Sequence, residues 1–232
     1  MAALLTIETS TPACSVALQM DGRLVSRYSE EPRSHTQLVM SMVDEVLIEA
    51  QVKIDQVDVI GVTVGPGSFT GLRIGFASVQ GLAFAADIPV VAISSLQAIV
   101  ATYRRIAEAD SDSIVLPLID ARMGEFNCAV YQLQSEPEMR LLAPDRLLST
   151  EYTMALIHDH PSAIPIGDAG ALSAAPELTE RGYQPIYPNA IDLMAITESR
   201  FAEGIAQPVE AVDLVYLRGS GAWKKRKRLR DI

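Results

Sequence analysis

Hydrophobic residues at the start of the chain alternate with polar ones at the two-residue period of strands. Three short strand patterns come first: LLTIE (4–8), CSVALQM (14–20) and residues 24–28. The dipeptide Asp21-Gly22 separates the second pattern from the third, and Asp-Gly between alternating segments is a strong hairpin signal. The sequence therefore predicts an antiparallel beginning to a sheet.

From residue 34 onward, helix patterns alternate with strand patterns. Ser34 and Gln37 have the spacing of a capping box, which predicts a helix that begins there. The predicted elements follow in this order: a helix over 34–50, a strand over 57–64, a helix over 69–86, a strand over 89–93 and a helix opened by Ser94 or Ser95. This alternation predicts an α/β lobe.

The opening pattern occurs a second time, beginning at Val115. VLPLIDARMGEFNCAVYQL (115–133) is a strand that ends in an acid, a polar turn and another strand, as is LLTIETSTPACSVALQM (4–20). Glu8 and Asp120 occupy matching strand ends, 112 residues apart. We therefore predict two related lobes, residues 1–105 and residues 106–232, joined by the polar stretch IAEADSDS. In the second lobe the patterns favour helices near 151–158 and 191–206, with a strand and glycine turn within 164–172.

The helices predicted at 34–50 and 69–86 are apolar over about 200°, twice the arc that a surface helix needs. One side of each helix packs on the sheet, so the other side needs a cover. The two helices cover each other, or a partner protein covers them. We favour a partner, because Gly71 and Gly75 permit close approach and Met40 and Met42 suit adaptable surfaces.

The glycine-rich stretch VGPGSFTGLRIG (64–75) lacks the residues of a nucleotide-binding loop. A P-loop requires GxxxxGK[ST], but Thr70 stands at the position of the second glycine and no lysine lies between Lys53 and Lys224. The dinucleotide pattern GxGxxG also fails, since Gly71 comes one residue late. The stretch keeps only the general ability of a helix N-terminus to bind an anion.

Patterns typical of catalytic sites are scarce. The three histidines, His35, His158 and His160, have no neighbouring residues that would complete a zinc site. The motif GxSxG is absent, and Ser68 is better explained as a helix N-cap. Cys14 and Cys128 form no CxxC pair, so we interpret both as core residues.

Composition and charge indicate a globular chain with one basic end. The 232 residues are 49% hydrophobic, yet no apolar run is long enough to span a membrane and no signal-peptide pattern opens the chain, so we expect a cytoplasmic protein. The formal net charge is −10. The end of the chain is nevertheless basic, and it is either a solvated tail or an RNA contact. Its basic residues are Lys224, Lys225, Arg226, Lys227, Arg228 and Arg230.

Five segments together resemble the bacterial TsaB family, also called YeaZ. They are IETSTPACSVAL, RSHTQ, GPGSFTGLRIGFASVQGLAF, IDARMGEF and the late YLR (216–218). The resemblance implies a duplicated α/β fold of the actin, sugar kinase and Hsp70 (ASKHA, ribonuclease H-like) type. It also implies a part in making threonylcarbamoyladenosine at position 37 of tRNA, together with the catalytic paralogue TsaD and the ATPase TsaE.

The same resemblance implies that the chain has no catalytic activity, metal or cofactor of its own, with ATP or ADP bound only at an interface within the complex. The metal-binding HxxxH of the catalytic paralogue aligns with Ser95 and Ile99, and isoleucine cannot bind a metal. His35 matches a paralogue histidine but lacks the other ligands. The alternative is a kinase-like, ATP-dependent enzyme of the same fold, with Glu8 and Asp120 around a magnesium ion.

In the family, the first two helices pair with those of TsaD in a four-helix contact, and the free protein forms a similar homodimer. We assign the partner interface to His35, Leu38, Val39, Met42, Val43, Val46, Gly71, Leu72, Gly75, Ser78, Val79 and Leu82. A nucleotide or anion contact is assigned to Thr9, Ser10, Gly67 and Ser68. The basic residues of 224–230 are assigned to tRNA, which the protein reaches through the complex.

Overall fold

The computed structural model describes residues 2–31 and 35–218. Its first sheet has five strands in the order β3-β2-β1-β4-β5. The strands are β1 (Leu4–Glu8), β2 (Cys14–Met20), β3 (Arg23–Ser29), β4 (Val59–Gly65) and β5 (Val90–Ser94). The antiparallel hairpins predicted from the opening pattern are confirmed, and β4 and β5 add parallel strands beside β1.

Three long helices belong to the first half of the chain: α1 (His35–Ala50), α2 (Phe69–Ala86) and α3 (Ser95–Ala107). The Ser68 hydroxyl accepts a hydrogen bond from the Gly71 N–H and begins α2, as predicted. The Ser94 hydroxyl accepts from the Leu96 N–H and begins α3. The predicted cap at Ser34 lies outside the described residues.

The second sheet repeats the strand order of the first. It consists of β6 (Ile114–Asp120), β7 (Glu125–Leu133), β8 (Met139–Ser149) and β9 (Ile164–Asp168). The order β8-β7-β6-β9 matches β3-β2-β1-β4. In both of these orders the first three strands pair antiparallel and the fourth pairs in parallel with the third. The α/β class and the repeated strand order of two related lobes are therefore confirmed.

The remaining helices are short. They are α4 (Thr150–Asp159), α5 (Pro176–Glu180) and α6 (Met194–Ala202), with 3₁₀ turns at Ile54–Gln56, Gly170–Ala174, Ala190–Leu193 and Val209–Ala211. The single helix predicted over 191–206 was wrong, because a 3₁₀ turn precedes α6 and the helix ends at Ala202.

The division into residues 1–105 and 106–232 requires a correction at its C-terminal end. Residues from Ala190 onward pack on the first sheet, where Met194 and Ile196 share a core cluster with Leu4 and Val91. The Thr6 hydroxyl donates to the Ala190 carbonyl at 2.7 Å, which fixes this segment to β1. The chain thus returns to the lobe in which it began.

The core is built in layers around the two sheets. Helices α1 and α2 pack side by side on one face of the first sheet. Helix α6 packs on the opposite face. Helix α3 is buried over most of residues 95–103 and contacts both sheets, with Ala98 towards the first and Ile99 towards the second. No helix within residues 2–31 and 35–218 has the length and apolar character needed to cross a membrane.

Candidate partner-binding site

Most of the predicted interface lies inside the folded chain. Nine of the twelve assigned residues are buried, because α1 and α2 pack on the sheet and on the turn that joins β1 to β2. The buried residues are His35, Val39, Met42, Val43, Val46, Gly71, Leu72, Gly75 and Val79. Only Leu38, Ser78 and Leu82 are partly exposed. The wide apolar arcs therefore serve mainly the protein's own core. The assignment to a partner is corrected for the buried residues other than Val39, which also borders the groove described below.

The close approach predicted for Gly71 and Gly75 is made to the chain's own β1–β2 turn. A Cβ atom added at Gly75 would lie 2.1 Å from Thr9 Oγ1, and one added at Gly71 would lie 2.1 Å from the Thr9 carbonyl oxygen. Both distances are far below van der Waals contact. These glycines allow α2 to lie directly over the turn.

An open groove remains on the outer side of α1 and α2. It has a volume of about 580 Å³. Its lining residues are Thr36, Val39, Met40, Ile74, Ala77, Ser78, Gly81 and Leu82. None of them is charged, and at Gly81 an added Cβ would meet nothing within 4 Å. The groove can therefore receive an apolar side chain from outside.

Three of the predicted interface residues, Val39, Ser78 and Leu82, line this groove. The prediction missed the other lining residues on α2, which are Ile74, Ala77 and Gly81, although the sequence carried a signal for them. Residues 74, 77, 78, 81 and 82 follow the i, i+3, i+4, i+7, i+8 spacing of one helical stripe, and all are uncharged. This stripe lies beside the glycine-rich side that the sequence prediction chose.

His35 is a structural contact at the beginning of α1. Its Nε2 atom lies 3.0 Å from the Thr11 carbonyl oxygen and 3.2 Å from the Ala13 carbonyl oxygen. A carbonyl oxygen can only accept a hydrogen bond, so Nε2 carries the proton in this arrangement. The imidazole thus ties α1 to the β1–β2 turn.

The residues assigned to an anion contact are closed by internal hydrogen bonds. Glu8 Oε1 accepts from the Ser10 N–H at 2.6 Å and from the Ser10 hydroxyl at 2.5 Å. The Ser68 N–H donates to the Ser10 carbonyl at 2.7 Å, and an added Cβ at Gly67 would lie 2.4 Å from that same oxygen. Thr9 and Ser10 are buried. The donors of Ser10 and the Ser68 N–H are used within the protein, and the Thr9 hydroxyl is enclosed, so the structure does not present these residues to an anion from outside.

The two matched acids sit in different surroundings. Glu8 is fully buried, and burial raises the pKa of its carboxyl to about 7. Asp120 remains partly exposed, and its carboxylate accepts from the Arg122 N–H at 2.7 Å and from the Arg122 guanidinium at 3.0 Å. Within the described ranges, no cluster of three or more His, Cys, Asp or Glu side chains could hold a metal ion.

The positions that align with the paralogue's metal ligands are inside the protein. Ser95 and Ile99 are both fully buried on α3, and Ile99 belongs to the core cluster between α3 and the second sheet. The basic residues assigned to tRNA, 224–230, lie outside the described residues.

Comparisons with known proteins place the chain among tRNA-modification proteins. Residues 29–174 match the family model described as TsaD: tRNA N6-adenosine threonylcarbamoyltransferase. The tRNA threonylcarbamoyladenosine biosynthesis protein TsaB of Escherichia coli (strain K12) is 33% identical over 232 residues, which cover 96% of this chain and 97% of that protein. The tRNA N6-adenosine threonylcarbamoyltransferase of Legionella pneumophila (strain Paris) is 33% identical over 110 residues, 47% of this chain and 32% of that protein.

A solved structure, YeaZ from Pseudomonas aeruginosa, is similar over nearly the whole fold. It is 35% identical with a TM-score of 0.79, and the match covers 94% of this chain and 100% of that one. The likeness to TsaB and YeaZ proteins spans both lobes, whereas the likeness to the Legionella transferase covers 47% of this chain. The chain therefore belongs to the TsaB family, also called YeaZ, as its motifs predicted.

Proposed function

We propose that this protein is a non-catalytic subunit in the formation of threonylcarbamoyladenosine in tRNA, and that it binds and activates a TsaD-type paralogue through the α1–α2 groove. The groove carries the proposal, because it stays open and uncharged after both helices have packed on the sheet. Uncharged grooves between helices suit an apolar helix face from a partner.

Two features support a paralogue as the occupant. The Legionella transferase shares 33% identity over 110 residues with this chain, so a TsaD-type partner is expected to carry a similar first lobe with its own pair of helices. Two such pairs, facing each other, form a four-helix contact of nearly twofold symmetry. The small residues Ala77, Ser78 and Gly81 leave room for the partner's larger side chains.

Other features support a subunit without chemistry of its own. Glu8, which the kinase-like alternative would place beside magnesium, is buried and bonded to Ser10. Ser95 and Ile99 supply no metal ligands at the aligned positions and are enclosed in the core. We therefore favour the subunit over the kinase.

The test uses one position and two substitutions. Gly81→Trp fills the groove with a large ring, whereas Gly81→Ala adds one methyl group where nothing lies within 4 Å. We expect Gly81→Trp to weaken binding to the TsaD paralogue about 10- to 100-fold by calorimetry, as overpacking in a tight contact commonly does. Gly81→Ala is expected to bind within a few-fold of the wild type.

Unchanged affinity of the Gly81→Trp variant would contradict the groove as the binding site. A melting temperature equal to that of the wild type shows that the fold is intact, so a loss of binding can be read as a local effect. ATP turnover by the purified chain alone, abolished by Asp120→Ala, would instead support the kinase-like function.

The proposal extends to the rest of the assembly. In the absence of the paralogue, the same groove pairs with a second copy of this chain, and light scattering should show a dimer that Gly81→Trp dissociates. TsaE and ATP or ADP are proposed to bind only once the complex has formed. Titration of ATP into the free chain and into the complex separates these cases, since binding to the free chain would contradict the interface location.

A further inference from the structure

A pocket of about 420 Å³ lies where the two halves of the chain meet. Tyr28 and Glu30 line it near the end of β3, Asp168 at the end of β9, and Tyr183 and Tyr187 on the segment that follows α5. The carboxyl ends of strands are common positions for ligand sites in α/β proteins, and this volume is in the range of small-molecule sites. The pocket shares no lining residue with the α1–α2 groove, so it is a separate place on the molecule.

Internal hydrogen bonds hold the walls of this pocket in place. The Tyr183 hydroxyl donates to the Gly167 carbonyl at 2.7 Å and accepts from the Ala169 N–H at 3.1 Å. On the α3 side, the Asn189 N–H donates to the Thr102 hydroxyl at 3.0 Å. The walls are therefore formed by the chain itself and do not need a ligand to shape them.

The uncompensated charge in the pocket is negative. Arg105 lines the pocket, but its guanidinium donates at 2.5 and 3.0 Å to Asp192, whose side chain is only 4% exposed. Glu30 and Asp168 take part in none of the ion pairs formed among the described residues. Two carboxylates without a cation disfavour a nucleotide or any other phosphate in the pocket, and they favour a positively charged ligand.

Tyrosine rings stand beside these carboxylates. Burial, followed by the negative charges of Asp168 and Glu30, raises the pKa of Tyr187, so its ring lies within electrostatic reach of both acids; the Arg122 guanidinium acts in the opposite sense. The Tyr28 hydroxyl donates to Glu30 Oε1 at 2.7 Å, and Tyr28 is 42% exposed. Aromatic faces attract cations, more strongly where water is partly excluded. The rings and the carboxylates therefore favour the same kind of ligand.

The remaining lining separates an organic cation from a metal ion. Within residues 2–31 and 35–218, no group of three or more His, Cys, Asp or Glu side chains could hold a metal ion. The side chains of Ile106 and Ile186 also line the pocket, and they have no favourable contact to offer a hydrated ion. Such a mixture of apolar walls and a few polar groups is typical of sites for small organic molecules.

We propose that this pocket binds a small organic cation, an ammonium group attached to a flat apolar body, with the ammonium group near Glu30 and Asp168. The apolar body lies against the rings of Tyr28, Tyr183 and Tyr187. This site goes beyond the proposed role in tRNA modification and does not depend on it.

The experiment uses three probes with the same ring and different charges. They are phenethylamine, 2-phenylethanol and phenylacetate, which carry an ammonium, a hydroxyl and a carboxylate. Each is titrated into the full, isotope-labelled chain, and the backbone amide signals of Gly167 and Asp168 are followed by nuclear magnetic resonance. We expect the amine to bind about 10-fold or more tightly than the carboxylate, with the alcohol between them, and the preference to shrink as salt is added.

Matched substitutions separate the pocket from the rest of the surface. Asp168→Asn keeps an oxygen to accept from the Gly170 N–H and removes the charge, so it should weaken the amine about 3- to 30-fold and leave the alcohol unchanged. Asp159→Asn removes an exposed charge at the end of α4, outside the pocket, and should change nothing. Tyr187→Leu keeps apolar volume and loses the aromatic face, so it should weaken the amine about 2- to 30-fold. Tyr152→Leu, at a ring that is 64% exposed on α4, is its control.

Several results would overturn the proposal. They are no saturable binding of the amine at about 10 mM, equal affinities for amine and carboxylate, or equal losses for a pocket variant and its control. Binding of ATP at the same amide signals in preference to the amine would also contradict a cation site. Displacement of the bound amine by the TsaD paralogue would assign the pocket to a protein contact. The Gly81→Trp variant tests the groove alone, so failure of one proposal leaves the other standing.

Discussion

Replacing Gly75 by alanine should destabilise the folded chain, whereas the same replacement at Gly81 should stabilise it. Both glycines lie in the interior of α2. Alanine is the better helix former, so each replacement gains about 0.5–1 kcal/mol from the backbone alone. The two sites differ only in what the new methyl group meets, which makes them a matched pair.

At Gly75 the new Cβ atom would lie 2.1 Å from Thr9 Oγ1. Thr9 is buried, so its side chain cannot swing into solvent and either the β1–β2 turn or α2 must shift. Overpacking of this kind costs about 1–3 kcal/mol, and so short a contact favours the upper end. The net expectation is a loss of about 2 kcal/mol at Gly75 and a gain of up to about 1 kcal/mol at Gly81, where nothing lies within 4 Å.

Unfolding in guanidinium chloride, followed by circular dichroism, measures the difference in stability between the Gly75→Ala and Gly81→Ala variants. Their denaturation midpoints can be compared directly only if the free energy of unfolding depends on denaturant with the same slope in both. A separation of about 3 kcal/mol between the variants corresponds to roughly 6–12 °C in melting temperature for a chain of this size. Equal stabilities would refute the reasoning, because they would mean that α2 does not approach the turn as closely as described. A stable Gly75→Ala variant with weakened partner binding would return Gly75 to the interface.

Two further predictions concern buried ionisable groups. Burial raises the pKa of Glu8 to about 7, so the folded state keeps a proton that the unfolded state loses near pH 4.5. The free energy of unfolding should therefore fall by on the order of 3 kcal/mol as the pH rises between these values. Glu8→Gln should remove most of that loss when unfolding is measured at pH 5 and pH 8. An identical pH dependence in the Gln variant would exclude Glu8 as its source. Burial also raises the pKa of the Cys14 and Cys128 thiols to about 12. An aromatic disulfide reagent at pH 8 should therefore label both thiols only in denaturant. Rapid labelling of the native chain would contradict their burial.

Elements with strong local signals were predictable from the sequence. Helix α2 was predicted over the residues that the structure gives it, because Ser68 supplies a cap and the apolar pattern continues to Ala86. Strand β8 was missed, since MRLLAPDRLLS contains a proline and charged residues with no clear alternation. Such a sequence is typical of an edge strand, and β8 lies at the edge of the second sheet, beside β7.

The site was predicted less well, because a helical wheel does not show which neighbour covers each side. The excess of apolar surface on α1 and α2 was real, but most of it faces the sheet and the β1–β2 turn. Gly75 and Thr9 are 66 positions apart in the sequence, so no local pattern could show that they touch. The groove on the adjacent stripe could be recognised only after that contact was known.

The two strand-end turns suggest why the lobes of one duplicated fold now serve different purposes. Burying a carboxyl group costs free energy, and the raised pKa of Glu8 reflects that cost. The buried turn in return supports both groove helices, because it accepts hydrogen bonds from His35 on α1 and packs under Gly75 on α2.

The turn of the second lobe contacts one helix, because the Thr150 N–H at the start of α4 donates to the Gly124 carbonyl at 2.9 Å, and it remains near the surface. There the Arg218 guanidinium donates to the Ala121 carbonyl at 3.0 Å, which fixes the end of the described chain two residues after Tyr216. The first turn thus supports the two helices of the proposed groove, whereas the second fixes the segment that ends at Arg218.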